Sequence, residues 1–108
     1  MISSIRHVGF VVSDLENSLK FYSDILGLKI YRRFIEEGDF IDSLTGIKNV
    51  KLEWAKLIIP QGGLIELLQY HSHPDPDTSN NLSRSSSNRL GCSHVALTVE
   101  NLSTLHQE

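Results

Sequence analysis

The chain carries a partial copy of itself, and this constrains what it can fold into more than any other feature. His94-Val95-Ala96-Leu97-Thr98-Val99-Glu100-Asn101-Leu102 aligns with His7-Val8-Gly9-Phe10-Val11-Val12-Ser13-Asp14-Leu15 at a constant offset of 87 residues, given by 94 − 7 and 102 − 15. The pairing sets His on His, Val on Val, Asn on Asp and Leu on Leu, the signature of one supersecondary unit begun twice. Whatever the first copy builds, the second starts to build again. The sequence runs out at Glu108, inside the expected second helix, so three strands of the second copy are expected from a longer chain or from another polypeptide.

The first copy reads as strand, helix and three strands. In Ile5 to Val12, Val8, Phe10 and Val12 fall on one face and Ile5, His7, Gly9 and Val11 on the other, so a strand covered on both sides is expected. Ser13 with Glu16 three residues later forms a capping box. Leu15, Leu19, Tyr22 and Leu26 then recur at helical spacing, and Gly27 ends the helix. Lys29 to Ile35 is rich in β-formers and gives a second strand. The mixed stretch from Glu36 to Val50 holds a short helical turn around Phe40 and Leu44. Lys51 to Ile59 and Leu64 to Tyr70 form a hairpin about Pro60-Gln61-Gly62-Gly63, whose glycines accept the positive φ of a tight reversal. From His71 to Asn88 prolines and a Ser/Asn-dense run leave too little apolar surface to offset the entropy of ordering. The expected division is therefore a first module over 1–70, a linker over 71–90 and the opening of a second module over 91–108.

Composition narrows the function. With 108 residues, 40% apolar and 21% charged, one core is expected. A net charge of −3 and a pI near 5.9 with scattered Lys and Arg argue against a nucleic-acid partner. No apolar run approaches the roughly 20 residues of a membrane span, and no signal-type segment opens the chain, so the expected address is the cytoplasm. Cys92 is the single cysteine, which excludes an internal disulfide and a thiolate zinc cluster and makes it most simply a small buried apolar residue.

Three residues stand out chemically. Glu66 sits in Leu64-Ile65-Glu66-Leu67-Leu68, where a carboxylate loses hydration unless it is paired or ligates a metal. His7 and His94 occupy matched repeat positions on the strand face turned away from the helices. If like strands of the two modules pack side by side, both imidazoles converge on one open face and Glu66 joins them, giving a ligand set suited to Zn, Ni, Co, Mn or Fe as a single divalent ion. Ordinary readings compete. A lone strand histidine is more often structural, and Glu66 can pair instead with Lys51, Lys56 or an Arg across the hairpin. His71-Ser72-His73 belongs to the linker and is rejected as a main metal site. Arg32 and Arg33 can meet an anionic substrate arm, but neighbours on a strand point oppositely and at least one is solvated. Trp54 and Tyr70 read as core or rim aromatics. The glycosylation-type triplets at Asn81 and Asn101 carry little meaning without a secretion signal.

The strand-borne histidines, the helix Ser-Asp-Leu-Glu-Asn-Ser-Leu-Lys-Phe-Tyr-Ser-Asp-Ile-Leu-Gly-Leu (13–28), Gly-Gly-Leu-Ile-Glu-Leu-Leu (62–68) and Gly-Cys-Ser-His-Val-Ala-Leu-Thr-Val (91–99) resemble the vicinal oxygen chelate superfamily of glyoxalase I, epimerases, extradiol dioxygenases and bleomycin-binding proteins. The resemblance implies an α+β fold of βαβββ modules forming a curved mixed sheet, glyoxalase-like, with the second module truncated. It implies His7, Glu66 and His94 as metal ligands, Glu66 also as a catalytic base, and a fourth ligand beyond the chain end. The function it implies is a metal-dependent lyase or isomerase acting on a small carbonyl or thioester compound through a metal-stabilised enediolate. The alternatives are an Fe(II)-dependent ring-cleaving dioxygenase and a metal-free small-molecule (antibiotic) binding protein of the same fold. A module and a fraction leave a sheet edge unpaired, so a homodimer with a small-molecule substrate is the expected assembly.

Overall fold

The computed structural model describes residues 1–76, 87–91 and 93–100. The chain divides into two units, Met1–Pro74 and Asp75–Glu108. In the first, β1 (His7–Val11) leads into α1 (Leu15–Leu19), which continues as a π-helical segment over Lys20–Ile25; β2 (Lys29–Glu36), α2 (Asp39–Thr45), β3 (Leu52–Ile58) and β4 (Leu64–Tyr70) follow. The four strands make one sheet in the order β1-β4-β3-β2, with β1 parallel to β4 and the other pairs antiparallel. The curved mixed sheet and α+β class expected from the sequence are what the fold shows.

Period-two alternation sorts each strand onto two faces. On one, α1 lays Leu15 and Leu19 against Ala55, Leu57, Ile65 and Leu67, with Phe10, Val12, Tyr22 and Leu28 around them. Leu57 and Leu67 are wholly buried, each contributing about 2 kcal/mol of hydrophobic stabilisation. On the other face, α2 sets Ile41 over Val50, Leu52 and Trp54, flanked by Ile47, Leu68 and Tyr70. That second cluster covers the end of the sheet where β3 starts and β4 finishes. His7, Glu66 and Lys56 lie on the same face toward the β3–β4 turn, where Gly62 and Gly63 take φ of 124° and 79°.

Local structure departs from the sequence reading at several points. The helix is capped by Asp14, not Ser13: Asp14 is extended, and its Oδ1 accepts the Asn17 N–H at 3.2 Å. A second acceptor, Gln69 Oε1 from β4, takes the Leu15 N–H at 2.8 Å, so the helix start is tied to the sheet. Past Leu19 the hydrogen bonds lengthen to i+5, as in Leu26 N–H to Phe21 O at 2.9 Å. This wider turn breaks the four-residue spacing, and Tyr22 and Leu28, rather than Leu26, pack on the core. The helical turn expected around Phe40 and Leu44 exists as α2, but both of those side chains are exposed and Ile41 is the buried one. Asp42 holds the end of α2 to the next strand by accepting the Asn49 and Val50 N–H groups at 2.9 and 3.0 Å.

In the second unit no strand forms over residues 93–99, where the repeat anticipates one, and Val95, Leu97 and Val99 are exposed. Apolar alternation becomes a strand only when a neighbour completes its ladder, and among the described residues none does. Cys92, the Asn81 and Asn101 triplets and residues 77–86 of the anticipated linker lie outside the described residues. Among the described residues no helix is long and apolar enough to cross a membrane.

Candidate functional site

Parallel pairing of β1 with β4 aligns His7 with Leu64 and Gly9 with Glu66. Partners in register share a face, as do residues two apart on a strand, so His7 and Glu66 emerge side by side. His7 Nε2 lies 3.4 Å from Glu66 Oε1, with the imidazole about a third exposed and the carboxylate at 13%. Gly9, the register partner of Glu66, lies beside this pair. A Cβ there would press on Leu68 Cδ1 at 3.2 Å and stand in ordinary contact with Glu66 Oε1 at 3.6 Å.

The opposite oxygen of Glu66 faces Lys56, whose Nζ is 4.0 Å from Oε2. The hairpin pairing weighed against a ligand role for Glu66 is therefore present, but long and partly exposed, a geometry worth less than about 1 kcal/mol. Lys56 also stands over the Trp54 ring at 4.8 Å. Trp54 is anchored by its indole N–H, which donates to Glu36 Oε1 at 2.6 Å, and its ring meets Phe34 at 6.0 Å. Arg32 stands 5.7 Å over Phe34. Sequence reasoning passed over this track, although Arg32-x-Phe34 and Trp54-x-Lys56 alternate in a way that could have found it.

The helix face carries a separate ionic cluster. Arg33 donates from Nε to Glu53 Oε2 at 2.8 Å and from a terminal nitrogen to Glu16, while His71 Nε2 lies 2.8 Å from Glu53 Oε1. Hydrogen bonds to Glu16 and Glu53 raise the Arg33 pKa against the lowering effect of burial. Burial pushes the Glu53 carboxyl up, but the His71 and Arg33 hydrogen bonds and charges outweigh it and hold the carboxyl below its ordinary value. His71, expected in the linker, is thus tied to β3 through Glu53.

Of the three anticipated ligands, the structure brings His7 and Glu66 together; His94 belongs to the second unit. Among the described residues no three His, Cys, Asp or Glu side chains gather into a cation site. The His7 and Glu66 pair nevertheless fits a divalent ion by donor chemistry and spacing. With metal–ligand bonds near 2.0–2.2 Å, two tetrahedral ligand atoms stand about 3.4 Å apart, which is the observed Nε2 to Oε1 separation.

A search of the curated proteins finds no match. Among solved structures, this chain is similar to a glyoxalase family protein from Bacillus cereus, with 27% identity and a TM-score of 0.82 over 99% of this chain and 70% of that one. The family description of the Glyoxalase/Bleomycin resistance protein/Dioxygenase superfamily matches residues 4–108. The chain, with its βαβββ sheet and a histidine and a glutamate side by side on its open face, belongs to that superfamily.

Proposed function

We propose that the protein is a metal-dependent lyase or isomerase acting on a small carbonyl or thioester compound. The observation that carries this reading is the 3.4 Å approach of His7 Nε2 to Glu66 Oε1 on the exposed part of the open face. His7 and Glu66 are proposed as ligands of one divalent cation. His94, supported by its repeat-equivalent position rather than by contact, is proposed as a third. When bound, such a cation withdraws electron density from a substrate carbonyl and stabilises the charge that develops as a neighbouring C–H loses its proton.

The chain's own residues supply the rest. Glu66, held between His7 and Lys56, presents a carboxylate oxygen that takes a proton from the carbon beside the carbonyl and returns it. Its 13% exposure keeps bulk water from competing for that proton. Leu68, two residues along on the same face, and its register partner Trp54 lie beside Glu66. β1 and β2 are the edges of the sheet, which supports a homodimer, and a cytoplasmic address is part of the same proposal.

The test is metal analysis of protein purified without a histidine tag. A stoichiometric non-iron divalent ion is expected, with content falling at least about tenfold in His7→Ala and Glu66→Gln, and sedimentation giving twice the 12.2 kDa chain mass. Oxygen-sensitive iron would replace this reading with the ring-cleaving one. Full metal content in His7→Ala would remove the site.

A further inference from the structure

The contacts on the open face form one line across all four strands: Arg32 over Phe34, Phe34 against Trp54, Lys56 over Trp54, Lys56 beside Glu66 and Glu66 beside His7. Arg32 and Lys56 are direct cross-strand partners. Like charges in that relation repel, and little offsets the repulsion here. Lys56 has the 4.0 Å contact with Glu66. Among the described residues no carboxylate pairs with Arg32, which leans on the Phe34 ring, and Glu36, on the same face, is occupied by the Trp54 N–H.

A backbone irregularity puts Arg32 there. Ile30 pairs with Leu57 and Arg32 with Lys56, so β2 spends two positions where β3 spends one. In a regular strand Arg32 would share the helix face with Ile30; the bulge at Tyr31 turns it to the face of Lys56. Its neighbour Arg33 goes to the helix face and is neutralised by Glu16 and Glu53. The two adjacent arginines thus have different fates, one spent on structure and one without a carboxylate partner among the described residues. A guanidinium over a ring face makes no hydrogen bond to it, so its N–H groups remain available to carboxylate and phosphate oxygens.

We propose that Arg32 and Lys56 form an anion subsite next to the His7 and Glu66 pair, and that the substrate is a small carbonyl compound bearing a carboxylate or phosphate group. Resting on the function proposed above, this names the class of molecule that the site takes: its anionic end lies between Arg32 and Lys56 with Phe34 as a flat wall, and its reacting carbonyl lies toward Glu66.

Inorganic phosphate and, separately, acetate titrated into chelator-treated full-length protein test the subsite, read by amide and arginine Nε shifts in NMR. Saturable shifts are expected at Arg32, Phe34 and Lys56, and the tighter of the two ions identifies phosphate or carboxylate as the natural group. Binding should weaken about tenfold in Arg32→Gln and in Lys56→Gln, less in Arg32→Lys, which keeps the charge without the fork. His7→Ala should leave anion binding unchanged while lowering metal content. Absence of saturable shifts, or equal affinity in the folded Gln variants, overturns the subsite and leaves the metal reading standing. Anion binding that persists in a protein indifferent to His7→Ala for its metal does the reverse.

Discussion

At the scale of single residues, Gly9 sets a bare stretch of backbone beside the His7 and Glu66 pair. Gly9 is the register partner of Glu66, and a Cβ placed there would touch Oε1 at an ordinary 3.6 Å. Gly9→Ala meets mainly the mobile Cδ1 of Leu68, and Ala loses less backbone entropy than Gly on folding, so stability should stay within about 1 kcal/mol of the parent. Metal affinity should stay within about twofold of the parent's, because a methyl group in ordinary contact with Oε1 leaves the carboxylate facing His7. Urea unfolding and metal titration of the same variant check both; a large loss of affinity would show that the bare backbone at Gly9 is needed by the carboxylate. The residue scale is also where the sequence was most readable. A glutamate among leucines and a histidine opening a strand are chemical anomalies, and both turn out to stand together on the open face.

At the scale of elements, the Arg33, Glu53, Glu16 and His71 cluster ties β2, β3, α1 and the end of β4 on the helix face. Glu53 has a depressed folded pKa, so its contribution is complete above its ordinary value near 4.5 and is lost as pH falls through the lower folded value. Stability should therefore rise with pH across that acid window. Glu53→Gln should flatten the rise and cost about 1 to 2 kcal/mol at neutral pH, at the low end because Arg33 is a third exposed. Denaturant midpoints measured from strongly acid to neutral pH check both, and an unchanged acid slope would remove Glu53 as its source. Elements were legible where local chemistry decides them: β4 runs from Leu64 to Tyr70, as alternation and the Gly62-Gly63 turn indicate. They were illegible where tertiary contact decides. The π-helical turn after Leu19, the Gln69 cap on Leu15 and the bulge at Tyr31 have no local signature. Each depends on what lies across the sheet or beneath the helix. The strand expected at His94 shows the same limit, since pattern cannot supply a pairing neighbour.

At the scale of the whole first unit, one connection dominates. Three of the four strands could assemble from adjacent pieces of chain, but β1 enters parallel to β4, at the sheet edge, across 66 − 7 = 59 positions of sequence. His7 and Glu66 are the two ends of that span. A cation gripped by both would act as a buckle, fastening the first strand to the last and withholding β1 from the fraying to which a five-residue border strand is prone. Amides of His7 to Val11 should then exchange with deuterium markedly more slowly once metal is added, with those of β3 hardly altered. A rate in β1 indifferent to metal would mean that the buckle never closes. On this view loading the ion is also the last act of assembly, so that the chemistry and the closure of the chain are a single event.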